Sequence, residues 1–232
     1  MLARGCIPVA WLLHYERPSW EYPRDGFTSS SFAADDHRNL VRPMALSTDA
    51  RIQQWWQDID AVTDRVRELT AGLGADAIAW EPAPGVWSVG QILDHVMKVN
   101  RSYEPVVAGL RAGMVSPPFT AKIPGFPRLM GAMILRTVAP ASPRRVRTFP
   151  VWEPGRAGHE PSIVADFVAQ QGALRSLIGD AADLLEGDPV VCSPANRTIV
   201  YHLSAAFAII VRHEERHLGQ MERTLAARRG RA

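Results

Sequence analysis

Cysteine is nearly absent from this 232-residue chain: only Cys6 and Cys192 occur, far apart and with no motif around either. Two such residues build no disulfide framework, so a reducing, cytoplasmic setting is the expectation. Long apolar runs are missing too, since nothing approaches the roughly 18 to 20 residues of a membrane span. The short apolar segment from Cys6 to Leu13 is interrupted by Pro8 and followed by no small-residue cleavage site, so a secretory leader is not expected. Charge of one sign is lacking, with 26 basic against 24 acidic residues and a formal net charge of +2. No polyanion is implied, which argues against a nucleic-acid partner. Lysine is confined to Lys98 and Lys122, leaving 24 arginines, the imprint of a GC-rich coding sequence. Strand-like alternation and internal repeats are absent as well.

What the chain does have is apolar residues at helical spacing, within a hydrophobic content of 47% that suffices for a sizeable core. Residues 1–46 stand apart, rich in Pro, Ser, Asp and Arg and without a period, and read as a poorly ordered extension. Met44 precedes the first helical pattern, and translation from it would account for the change in composition. Residues 47–230 read as one domain. A first helix is expected from Asp49 to Leu73, its inner face marked by Ile52, Trp55, Trp56, Ile59, Val62, Val66 and Leu69. Ser88 with Gln91 three places later forms a capping-box pattern opening a second helix, expected to run to Ala112. From Gly113 to Glu160 proline breaks every pattern, apart from a helix near Arg128 to Val138. An insert of that length suits the lid or wall of a site, and its Arg144, Arg145 and Arg147 are candidates to hold an anionic group. A third helix starts near Ser162, and a linker through Cys192 and Pro194 leads to a fourth from Arg197 to Arg228. The expected fold is all-α, an antiparallel four-helix bundle with a long irregular insert between helices two and three.

The most informative stretch lies in the fourth helix. Its inward stripe of Ile199, Leu203, Phe207 and Ile210 continues through His213, His217 and Gln220 to Met221 and Leu225. Two imidazoles four residues apart project from one face, about one turn apart, and both can reach a single ion. Polar groups on a core stripe cost free energy unless something satisfies them, and a divalent metal would. Catalytic sites usually use three protein ligands. His202 is about 16 Å along the axis from His213 and out of reach. His14 and His37 fall in the extension and His159 in the insert, so His95 on the second helix is the best third ligand. His213-Glu214-Glu215-Arg216-His217 also fits the H-E-x-x-H zinc-protease pattern. The longer metzincin continuation fails, because Gln220 and Arg223 stand where Gly and His are needed. Glu214 is a candidate proton acceptor beside the ion, although a solvent-facing role fits it better. Asn100, Tyr103 and Gln220 are candidate substrate-pocket residues from helix position alone.

The segment Trp87-Ser88-Val89-Gly90-Gln91-Ile92-Leu93-Asp94-His95, preceded by the turn Trp80-Glu81-Pro82-Ala83-Pro84-Gly85, resembles the second-helix signature of the DinB-like (DinB/YfiT) superfamily. His213-x-x-x-His217-x-x-Gln220 resembles its fourth-helix signature, and the similarity covers about Asp49 to Arg228. The resemblance implies a four-helix bundle, often a homodimer, with a divalent ion, commonly zinc or nickel, held by three histidines. Carried onto this chain, those ligands are His95, His213 and His217. Members with known activity include transferases that use mycothiol or bacillithiol and a mycothiol-dependent isomerase; others are described as metal-dependent hydrolases. The proline-rich insert departs from a minimal member. The expected function is therefore a metal-dependent S-transferase acting on a low-molecular-weight thiol. Metal-dependent hydrolysis and a non-catalytic metal-binding stress-response module are the alternatives.

Overall fold

The computed structural model describes residues 49–140, 142, 147–156 and 159–231, all within a unit spanning Pro43–Ala232. The expected extension over residues 1–46, with His14 and His37, lies outside the described residues, as do Arg144 and Arg145. Helix α1 (Ala50–Thr70) starts where the Asp49 side chain accepts the Arg51 amide at 2.8 Å, satisfying one of the donors a helix start leaves free. Its buried residues include Ile52, Trp55, Trp56, Ile59, Val62 and Val66, the stripe expected from spacing. Gly72, at φ 73, takes the left-handed conformation that ends the helical path before the short α2 (Ala75–Ala79).

Helix α3 (Val89–Arg101) opens on the capping box foreseen in the sequence. Ser88 Oγ accepts the Gln91 amide, and Gln91 Oε1 accepts the Ser88 amide at 2.9 Å. It does not run on to Ala112. The chain turns at Ser102–Tyr103 and restarts as α4 (Glu104–Arg111), with proline at its first turn. Pro105 lacks an N–H, and its ring would collide with the carbonyl one turn earlier in a continuous helix.

Helix α5 (Phe126–Val138) is the α-helix among the described residues of the proline-rich insert, followed later by α6 (Ile163–Asp180) and α7 (Ala182–Gly187). The expected linker through Cys192 and helical start at Arg197 are corrected. Residues Val190–Ser193 and Asn196–His202 form strands β1 and β2 of an antiparallel hairpin, and the last helix, α8, spans Leu203–Arg229. Val190, Val191, Thr198, Ile199, Val200 and Tyr201 supply the β-branched and aromatic side chains that favour a pleated surface over a helix. Leu203 donates its amide to the Pro189 carbonyl at 2.9 Å, which ties the start of α8 to the hairpin base.

Among the described residues the structure is mostly helical, with one two-stranded sheet. Helices α1 and α3 each pack against both α6 and α8, while α5 packs against α8 and β2 on the outside. The interior divides into two apolar clusters. One gathers Ile52, Trp55, Ile59, Leu174, Phe207 and Ile210; the other gathers Val66, Ile92, Val96, Phe167, Met221 and Leu225. On α8 the first cluster ends at Val211 and the second begins at Met221, so Glu214 and His217, both buried, fall between them. None of the described helices is long and apolar enough to cross a membrane.

Candidate metal centre

The gap between the two apolar clusters is filled by polar side chains. His95 from α3 and His213 and His217 from α8 bring their ring nitrogens within 4.8 Å of one another. His213 Nε2 lies 3.1 Å from His95 Nε2 and 3.0 Å from His217 Nε2. The i, i+4 spacing places the two α8 rings side by side, 4.4 Å between centroids, and α3 delivers the third ring edge-on to both. Trp87, just before the Ser88 cap, covers the group: its ring is 4.8 Å from that of His95 and stacks at 6.0 Å on that of His217.

Hydrogen bonds outside the cluster decide what the inner nitrogens offer. His95 Nδ1 is 2.7 Å from the Trp152 carbonyl, which only accepts, so Nδ1 carries the proton and Nε2 presents a lone pair. His217 Nδ1 likewise donates to Gln220 Oε1 at 3.0 Å, which leaves its Nε2 a lone pair as well. Burial holds all three imidazoles below their ordinary pKa. His217 falls to about 3, and His213 falls well below the usual value, with its two ring neighbours adding to the burial cost. With those two tautomers fixed, only His213 Nε2 can carry an N–H at the inner point, and one proton cannot fully satisfy the lone pairs of both neighbours. His213 Nδ1, on the outer side, is buried without a partner. A cation resolves the inner conflict. Nitrogens around a tetrahedral ion at about 2.0–2.1 Å would sit about 3.3 Å apart, close to the 3.1 and 3.0 Å that separate His213 Nε2 from its two neighbours. The three imidazoles thus form a group that can hold a metal.

A second polar group adjoins it. Glu214, expected to face solvent, is 1% exposed, because its position on α8 turns it toward α3 and α6. Its Oε1 accepts from Asn100 Nδ2 at 2.6 Å and from Gln171 Nε2 at 2.8 Å, while Asn100 Nδ2 also reaches Gln170 Oε1 at 2.9 Å. Burial pushes the Glu214 carboxyl up to about 7 against the pull of those two amides. Of the other residues singled out in the sequence, Gln220 holds His217, and Asn100 belongs to the Glu214 cluster. Tyr103 is buried, its hydroxyl taken up by that of Tyr201 at 2.7 Å. His202 ends β2 and donates to the Asp188 carbonyl at 2.8 Å, and Arg147 is exposed.

Sequence reasoning missed Gln170 and Gln171, although two polar residues between Phe167 and Leu174 on an inward stripe are a legible signal. It also missed Trp152, whose contribution is a backbone carbonyl that no side-chain pattern reveals. No curated protein and no solved structure matches the sequence. The family model of the DinB superfamily matches residues 58–221, well over half the chain and inclusive of all three imidazoles, and the chain therefore belongs to the DinB superfamily.

Proposed function

We propose that the protein is a metal-dependent enzyme whose ion is held by His95, His213 and His217, and that it transfers a low-molecular-weight thiol of the mycothiol type to an electrophile. The observation that carries the metal reading is the convergence of three neutral imidazoles with no proton arrangement that satisfies them all. The long helices α1, α3, α6 and α8, each pair packed as described, support reading the architecture as the four-helix bundle of the superfamily. Zinc and nickel are the ions we favour, since imidazole suits both. An ion in this place supplies Lewis acidity that makes a thiol, or water, nucleophilic at neutral pH.

The chain's own residues prepare that chemistry. Trp152 and Gln220 fix the tautomers of His95 and His217 so that lone pairs point inward, an outer layer of the kind that orients metal ligands. Trp87 shields two of the rings from water. Glu214 is engaged by Asn100 and Gln171, and we assign it support of α8 rather than proton transfer. Asn100 belongs with Glu214, while Gln220 lies at the edge of the centre. A homodimer in the cytosol is the setting we favour, from the family resemblance and the scarcity of cysteine.

The test uses full-length protein purified without a histidine tag, stripped with chelator and reloaded with zinc or nickel. It is assayed with mycothiol and monochlorobimane, and separately with a panel of esters and amides lacking thiol. Metal-dependent conjugation is the expected outcome, lost in His213→Ala along with bound metal. Hydrolysis without thiol would replace the transferase by a hydrolase. Stoichiometric metal with neither activity would favour a non-catalytic module. A wild-type protein that binds no metal would end the reading.

A further inference from the structure

The insert between α5 and α6 returns across α3, and its described residues Pro150–Arg156 and His159 form a strap with four anchors on that helix. The Trp152 carbonyl accepts His95 Nδ1–H at 2.7 Å. The Gly155 amide donates to Asp94 Oδ2 at 2.7 Å. Lys98 Nζ, 2.9 Å from the same Asp94 oxygen, also donates to the Glu153 carbonyl at 2.9 Å. His159 lies against Gly90 so closely that a Cβ built there would stand 2.4 Å from His159 Cβ and 2.8 Å from its Cγ. Gly90, Asp94 and Lys98 are four residues apart, one stripe along α3, and His95 lies beside it. Trp152 is further fixed by its indole N–H, which donates to Ser102 Oγ at 3.2 Å, and by Phe149, ring to ring at 5.7 Å.

From this we infer that the strap is a positioning element for the metal centre, with Gly90 and Asp94 as positioning residues that act on His95 through the Trp152 carbonyl. The inference rests on the metal reading above. Gly90 has no local need to be glycine: it sits in the first turn of α3, with no positive φ. The space is needed by His159, because at 2.4 Å the atom encountered is the root of the side chain, so the strap backbone itself must retreat. Its retreat takes the Trp152 carbonyl away from His95. The ring is then free to rotate or to move its proton to Nε2, and either change removes the lone pair from the centre. Asp94 works from the other side, its carboxylate gripping the Gly155 amide between two strap residues that contact α3.

The experiment measures zinc affinity of untagged, full-length protein by competition with a chromophoric chelator, alongside urea unfolding of the metal-free forms. Outer partners of metal ligands typically carry about 10- to 100-fold in affinity. Gly90→Ala should weaken zinc binding by about that factor, with a much smaller change in metal-free stability. The double variant Gly90→Ala with His159→Gly, which removes the clashing Cβ, should recover most of the loss. Asp94→Asn, which leaves the helix and its glycine intact, should weaken zinc in the same direction and covers the case in which Gly90→Ala does not fold. Zinc affinities within twofold of wild type in both single variants would overturn the inference while leaving the metal reading intact. Weakening that the double variant does not relieve, matched by an equal loss of metal-free stability, would overturn it too, as a general packing defect. Wild-type protein that takes up no zinc would remove the reading on which it rests.

Discussion

Glu214→Gln should stabilise the metal-free protein by an amount that grows with pH. The carboxylate is 1% exposed, shares one oxygen between Asn100 and Gln171, and has its other oxygen buried without a donor. Burial raises its pKa from 4.5 to about 7. The folded chain therefore holds this proton more tightly than the unfolded chain does. Stability from the group is full below the unfolded value and is lost as pH rises through the folded one, a window of about 4.5 to 7. At about 1.4 kcal/mol per unit, the shift amounts to about 3 kcal/mol, of which about 1 is gone by about pH 5. Glutamine keeps an oxygen for the two amide donors and does not ionise. Urea unfolding of both proteins in chelator, at about pH 5 and about pH 8.5, should show the gap widening by about 2 kcal/mol in favour of the variant. The histidines titrate in both proteins alike and cancel in the difference. A gap that stays constant, or narrows toward high pH, would refute the assignment of a strained buried carboxylate.

The histidines dominate at the acid end. Burial holds His217 at about 3, below its unfolded value of 6.5, so metal-free stability should fall as pH drops through that interval, and His217→Gln should reduce the slope by about 1.4 kcal/mol per pH unit in urea titrations. Two glycines of α6 should respond oppositely to alanine. At Gly179 a Cβ would stand 2.9 Å from Trp56 Cζ2, a ring pinned by its own N–H to the Arg175 carbonyl at 3.0 Å, so Gly179→Ala should cost about 1–3 kcal/mol. Gly172 meets nothing within 4 Å, and Gly172→Ala should gain about 0.5–1 kcal/mol by helix propensity; thermal unfolding compares the two.

The four long helices were legible because their apolar residues recur at one spacing over several turns, as from Ile52 to Val66. The imidazoles of α8 were legible for the same reason, because a polar residue interrupting such a stripe is conspicuous. The break at Ser102 is hard to read because Pro105 falls within an otherwise continuous apolar pattern. The hairpin was hidden because Ile199 and Leu203 fit a helical stripe as well as they fit a strand followed by a helix. Glu214 reads as solvent-facing in the sequence because its burial depends on amide donors from α3 and α6, and no local pattern announces a partner on another element. The strap was beyond reach for a further reason: its hold on His95 is a main-chain carbonyl, and main chain is the same in every sequence.

Asn100, Gln171 and Glu214 come from three different helices, and this has a bearing on how those rods can slide. Apolar surfaces tolerate displacement by one turn, about 5.4 Å, because one branched side chain can take the place of another. A carboxylate whose donors stand on two neighbouring rods has no equivalent one turn away. The cluster therefore acts as a key that admits one axial alignment, and the imidazoles meet in that alignment. A version with leucines in these places could hold together as firmly, yet it would spread over several alignments and assemble the centre in only a fraction of its molecules.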